Sequence, residues 1–186
     1  MTFVKSHQRV SVRGGIHMSN NEISARFGTD VVIRMAGPGD ANALATLRYE
    51  FRSSFGANCE DEDGFVERSA KWMQDRLHEA AVWRCWIAEC DGVAAGNIWA
   101  QLIEKIPNPM IEPERLGYIT NFYVRENYRN CGLGSQLFSA AMEWIKESDV
   151  DAVILWPTER SRSFYRREGF SETVRVMEMR LDPQHI

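Results

Sequence analysis

The stretch YVRENYRNCGLGSQLF, Tyr123 to Phe138, sets Gly132 and Gly134 two residues apart, after a run of β-formers and before an amphipathic segment. Glycine at a strand-to-helix junction has two readings. It supplies backbone dihedrals that side chains resist, or it lets a ligand approach the main chain closely. A helix N-terminus offers unpaired N–H groups and a partial positive charge, so a loop stripped of side chains at that point can cradle a phosphate. Two nucleotide motifs are excluded here. The Gly-Lys-Ser/Thr ending of a P-loop is missing, and Leu137 occupies the place of the third glycine in a dinucleotide fingerprint. What remains is a handle for a phosphate that is held and not transferred.

On one side of this turn lies the strand-like YITNFYV, Tyr118 to Val124. On the other, from Ser135, the residues Leu137, Phe138, Ala141, Trp144 and Ile145 recur at helical spacing, then AVILW, Ala152 to Trp156, reads as a short central strand covered on both faces. Strand, helix and strand in that order imply a parallel crossover. Earlier in the chain VVIRMA ends at GPGD, where Pro38 and Asp40 predict a turn and a helix N-cap before Leu44, Leu47 and Phe51. An acidic loop, EDEDG, precedes a second helical pattern running from Phe65 through Trp72, Met73 and Leu77. The runs VWRCWIAEC and VAAGNIWAQLIE flank Asp91-Gly92, a hairpin signature. Three prolines in KIPNPMIEPER make that segment a surface connection. A short helix from about Ser161 to Arg167, capped by Ser161 and ended by Gly169, leads to a final β-rich VRVMEMRL.

Composition narrows the function classes. At 186 residues with 44% hydrophobic, the chain can bury one core without staples, so residues 30–186 are expected to form a single domain after a flexible N-terminal extension, 1–29. A net charge of -4 gives no broad positive field, and no nucleic-acid partner is expected. No apolar run approaches a membrane span, so no membrane partner is expected either. Cys59, Cys85, Cys90 and Cys131 lack the short paired spacings of a zinc site and are too few for a disulfide scaffold. No metal is expected, and a reducing cytoplasm is the simplest setting.

YRNCGLGSQL, with Arg129-x-x-Gly132-x-Gly134 between a strand and a long helix, resembles the acyl-CoA-binding signature of the GCN5-related N-acetyltransferase (GNAT) superfamily. SFYRREGF resembles its second signature, a tyrosine on a short helix before Gly-Phe, and the order of elements agrees from 31 to about 181. The resemblance implies an α/β fold: a mixed, mostly antiparallel sheet flanked by helices and splayed between its two central parallel strands. It implies acetyl-CoA as cosubstrate. The backbone amides of Arg129, Asn130, Cys131, Gly132, Gly134 and Ser135 would hold the pyrophosphate, and the main chain of Phe122 and Val124 would pair with the pantetheine arm. An N–H near Val124 would face the acetyl carbonyl. Tyr165 matches the family tyrosine that serves as general acid to the departing thiolate. Its neighbourhood also permits simple packing beside Phe164. Thr158 stands where many relatives carry an asparagine that contacts pantetheine, a departure that leaves a shorter hydroxyl side chain for that contact.

No carboxylate or histidine lies in YITNFYV, and Tyr118, Glu89 and Glu50 are base candidates by type alone. Proximity to a thioester supplies much of the rate without a base. Trp83, Trp86 and Trp99 read as ordinary sheet packing or as the wall of an acceptor pocket. Glu60, Asp61, Glu62 and Asp63 read as a solvated loop or, where the family places its acceptor site, as a rim that attracts cationic amines. Cys131 reads as a spectator in the loop. The expected activity is transfer of acetyl to a primary amine of a small molecule. A noncatalytic acyl-CoA-binding module, a protein N-terminal or lysine acetyltransferase and a homodimer stay open.

Overall fold

The computed structural model describes residues 30–56, 60–109, 111–172 and 177–179. Contacts divide them into two units, one ending at Trp156 and one beginning at Pro157. The extension 1–29 lies outside the described residues, as does most of VRVMEMRL.

In the first unit five strands form one sheet in chain order: β1 (Val31–Met35), β2 (Trp83–Cys90), β3 (Val93–Glu104), β4 (Arg115–Val124) and β5 (Ala152–Ile154). The first four are antiparallel neighbours, and β5 pairs parallel to β4. The sheet is therefore mixed and mostly antiparallel, as expected. Asp91 and Gly92, with φ of 51° and 75°, close the β2–β3 hairpin in the primed geometry that suits strand twist.

Helices α1 (Ala41–Ser53) and α2 (Glu62–Glu79) cover one face, and α3 (Leu133–Glu147) covers the other. Strand alternation demonstrates this. Cys85 and Ile87 join Leu44, Ala45, Met73 and Leu77 in one buried cluster. Trp86, between them, instead meets Trp144 of α3, with ring centroids 5.8 Å apart. Burial from both sides explains why β2 and β3 read as near-continuous apolar runs. Leu44, Leu47, Leu137 and Ile145 are wholly buried, each contributing about 1.5–3 kcal/mol of transfer free energy.

Local details correct the sequence reading. Helix α2 starts at Glu62, three residues before Phe65, because the Asp61 carboxylate caps it, accepting from the Gly64 N–H at 2.8 Å. Asp40 stands before α1 without capping it. Its carboxylate takes the Arg34 guanidinium at 2.7 and 2.8 Å and the Gly37 N–H at 2.7 Å. Helix α3 starts at Leu133, not Ser135. Strand β5 ends at Ile154, two residues short of Trp156, and lies at the end of the described sheet with Ala152 exposed.

In the second unit a 3-10 turn (Glu159–Ser161) leads into α4 (Arg162–Arg167). Gly169, at φ 93°, ends it as expected, and the Phe170 N–H returns to the Tyr165 carbonyl at 3.0 Å. Ser161 does not cap α4 with its side chain. Its hydroxyl donates to the Thr158 carbonyl at 2.9 Å and accepts from Thr158 Oγ1 at 3.0 Å.

Candidate active site

The turn from β4 into α3 runs through a 3-10 segment, Glu126–Tyr128, then Asn130 at φ 60° and Gly132 at φ 92°. Gly132 is the N-cap in a left-handed conformation that side chains resist. The first helical bond runs from the Gln136 N–H to the Gly132 carbonyl at 3.1 Å. The N–H groups of Leu133, Gly134 and Ser135 precede it and have no partner within the helix. Gly134 has an ordinary helical backbone, and a Cβ built on it would lie 3.5 Å from the Phe122 ring. Phe122 stacks on Phe138, centroids 6.5 Å apart. Cys131 is buried, with its thiol directed at the Tyr128 carbonyl, consistent with a spectator.

Arginines brace the loop from beneath. Arg129 Nε donates to the Val124 carbonyl at 2.8 Å, and its guanidinium lies 5.8 Å from the Tyr123 ring. Arg125 donates to the Ala94 carbonyl at 2.8 Å and grips Glu50 at 2.5, 2.9 and 3.1 Å. The structure thus brings Arg129, Asn130, Cys131, Gly132, Gly134 and Ser135 together at one helix N-terminus, directly after Phe122 and Val124.

Among the described residues β4 pairs with β5 only from Leu116 to Tyr118, ending at Tyr118↔Ile154, while its register pairs with β3 continue through Ile119, Thr120, Tyr123 and Val124. This is the splay. At the same level the β3–β4 register slips, from Trp99↔Thr120 to Asn97↔Tyr123, with Asn121 at φ 47°. The bulge turns Thr120 and Asn121 to the same face. Asn97, wholly buried, holds it by donating Nδ2–H to the Asn121 carbonyl at 2.9 Å.

On that face a cleft of about 600 Å³ opens between the sheet and the two N-terminal helices. β4 supplies Tyr118, Thr120 and Asn121, the hairpin supplies Trp83 and Trp99, α1 supplies Arg48, and α2 supplies Phe65, Arg68, Ser69, Trp72 and Met73. Of the three tryptophans considered from sequence, Trp83 and Trp99 line the cleft and Trp86 faces α3. Trp72 completes the aromatic wall, 5.5 Å from Trp83 and 5.9 Å from Trp99.

Several lining residues escaped the sequence reading, Trp72 and Arg48 among them. Trp72 looked like core because it recurs with Met73 and Leu77. Arg48 is four residues after Leu44 and so shares its buried helix face, a cation on an apolar stripe that could have been noticed. Burial, and then repulsion from Arg52, lowers the Arg48 pKa from its ordinary value, though guanidinium stays charged.

The acidic run is absorbed by structure. Glu60 pairs with Arg68, which holds its carboxyl below the usual range. Asp61 caps α2, and Glu62 and Asp63 occupy its first turn. None of the four lines the cleft. The carboxylate base candidates are likewise engaged, Glu50 by Arg125 and Glu89 by Arg34 at 2.6 and 3.0 Å. Of the three base candidates only Tyr118 faces the cleft. In the second unit Tyr165 is buried, edge-on to Phe164 and Phe170 at 5.4 and 5.7 Å, and burial raises its phenol pKa. It therefore stays protonated at neutral pH. Thr158 spends its hydroxyl proton on Ser161.

A mixed sheet opened along one strand, a bulge at the opening and a glycine turn feeding a helix N-terminus define an acyl-CoA-dependent acetyltransferase fold. The model of the acetyltransferase (GNAT) family matches residues 44–170, and the chain belongs to that family. No curated protein matches the sequence significantly. Among solved structures, a predicted acetyltransferase from Clostridium acetobutylicum with acetyl-CoA is similar at TM-score 0.71 and 21% identity, over 81% of this chain and 96% of that one. The aminoglycoside N-acetyltransferase AAC(6′)-Iy in complex with CoA gives 0.64 and 19%, over 82% and 95%. Glucosamine-6-phosphate N-acetyltransferase from Arabidopsis thaliana gives 0.61 and 17%, over 82% and 99%. At these identities the likeness shows the fold. No helix among the described residues is long and apolar enough to cross a membrane.

Proposed function

We propose that this protein is an N-acetyltransferase that moves acetyl from acetyl-CoA directly to a primary amine of a small molecule, with residues 30–186 as its acetyltransferase domain. One observation carries the reading: strand β4 supplies cleft residues on one face and leads, through the turn 125–132, into a helix N-terminus where Gly134 leaves the approach open. The coenzyme supplies an activated thioester. The turn from Arg129 to Ser135 suits its pyrophosphate, because the N–H groups of Leu133, Gly134 and Ser135 lack helical partners and Gly134 leaves the approach open, although the Arg129 N–H is spent on the Glu126 carbonyl at 3.1 Å. The side of β4 beyond its last pair with β5, at Phe122 and Val124, suits an extended amide chain. An N–H near Val124 is assigned to the developing oxyanion.

A C–N bond forms as the C–S bond breaks, and the sulfur leaves with the electron pair. Tyr165 donates the proton it needs and regains one from water. The proton shed by the amine passes to solvent, since the carboxylates considered as bases are held by arginines. Thr158 is assigned a pantetheine contact through its oxygen lone pairs. A small-molecule acceptor is favoured by the aromatic cleft of about 600 Å³, and the aminoglycoside and glucosamine-6-phosphate enzymes that share the fold are in keeping with that class.

The test couples calorimetry with coenzyme A to thiol release from acetyl-CoA across an amine panel. Binding with amine-dependent release is the expected result. Tight binding with no release for any amine would favour a noncatalytic acyl-CoA module, and absence of binding would remove the reading altogether.

A further inference from the structure

Arg48 has no ion-pair partner among the described residues. Its contacts there are Asn121 Oδ1, to which it donates at 3.3 Å, and the Phe51 ring at 6.0 Å. An arginine half-buried against aromatic walls without a carboxylate has lost hydration and gained little in return. Nothing acidic lines the cleft to compensate it: its charged residues are Arg48 and Arg68, and Arg68 is neutralised by Glu60. A second donor is idle as well. The Trp99 indole Nε1–H, on a side chain only 2% exposed, has no partner among the described residues and belongs to a ring that lines the same cleft.

Three indoles around a cleft would by themselves suit a cation. Here that role is already filled in part, because Arg76 lies over the Trp72 ring at 5.4 Å and Arg68 over Phe65 at 5.0 Å. A further cation would enter a cleft that has a net positive charge. An anion would meet the Arg48 guanidinium, with its unspent N–H donors.

The geometry points to an acceptor that carries, besides its amine, a carboxylate or phosphate bound by Arg48. This deepens the acetyltransferase reading and rests on it for the identity of the cleft as the acceptor site. It reverses the preference that the acidic run suggested from sequence. Arg48 is a specificity residue in this scheme: its fork takes two oxygens of the anion, Asn121 orients it from the bulge, and the indoles flank an apolar body.

The experiment uses the full chain and matched acceptors: phenylalanine against phenylalaninamide for carboxylate, phosphoethanolamine against ethanolamine for phosphate, and spermidine as a polycation. Thiol release gives kcat/KM for each in wild type, R48Q and R48K. Tryptophan fluorescence titrated with the same compounds, without acetyl-CoA, reports binding separately, and far-UV circular dichroism checks folding. One anionic member should exceed its neutral partner by about 10- to 100-fold, mainly through KM, as expected for a hydrogen-bonded charge pair. That ratio should collapse toward unity in R48Q and recover in part in R48K, and the fluorescence response should follow it. Whichever pair shows the effect identifies the anion. Equal rates within both pairs, faster reaction of spermidine, or a preference that survives in folded R48Q would overturn the proposal while leaving acetyl transfer intact. An Arg48-dependent anion response without turnover of any amine would instead retain the anion site and overturn the acetyltransferase reading.

Discussion

Substitutions at the two loop glycines should separate backbone strain from ligand exclusion. Gly132 sits at φ 92°, where a Cβ costs about 1–2 kcal/mol, so G132A should lower Tm by roughly 2–8 °C in a chain of this size. Gly134 differs. It is the second residue of α3 with an unstrained backbone, and a Cβ there meets the Phe122 ring at 3.5 Å, an ordinary contact. Replacing glycine inside a helix gains about 0.5–1 kcal/mol, so G134A should match or exceed wild type in Tm. G134E should also be at least as stable without coenzyme, because a carboxylate in the first turn complements the helix dipole by about 0.3–1 kcal/mol. The same carboxylate fills the phosphate cradle. Displacing the phosphate from two charge-assisted hydrogen bonds, at about 1.5–3 kcal/mol each, should raise the Kd for coenzyme A by more than about 100-fold. Calorimetry and thermal melts of the three variants give both quantities. A stable G134E that binds coenzyme A like wild type would refute the placement of the phosphate, and a G134A that melts well below G132A would refute the strain argument.

Y165F should lower single-turnover acetyl transfer by about 10²- to 10⁴-fold with little change in coenzyme affinity. Since burial raises the Tyr165 pKa, its donor form persists as pH rises through the ordinary phenol value near 10, and no loss of rate from its ionisation is expected below that pH. E50Q should cost about 1 kcal/mol of stability, read in Tm, by breaking the half-exposed pair with Arg125, while the pH profile of kcat/KM keeps its acidic limb; loss of that limb would make Glu50 the base after all. D61A should lower Tm through loss of the α2 cap, worth about 1 kcal/mol, without altering the ranking of cationic and neutral acceptors.

Elements with a local signal were legible in the sequence. The Asp91-Gly92 hairpin, the amphipathic α3 and the glycine turn each rest on residues whose dihedral or burial preference acts within a few positions. What escaped depends on partners distant in sequence. Asp40 carries the chemistry of a cap, yet the Arg34 guanidinium and the Gly37 N–H claim its carboxylate. The run from Glu60 to Asp63 carries the charge of a rim, yet Arg68 and the α2 N-terminus absorb it. The bulge at Asn121 has no local marker, because it is held by Asn97 on the neighbouring strand. Arg48 on α1 and Trp72 on α2 looked like ordinary helix positions, because the hairpin tryptophans that share their cleft are distant in sequence.

Direct transfer of acetyl from coenzyme A to an amine, the function proposed above, has a signature of its own. Acetyl-CoA labelled in its acetyl carbons, mixed with the wild-type chain and an amine that it turns over, followed by mass spectrometry of the amine and titration of free thiol, tests it directly. The label is expected on the amine nitrogen in step with thiol release, one acetyl for each thiol. Thiol release without labelled amine, or label retained on the protein itself, would contradict direct transfer.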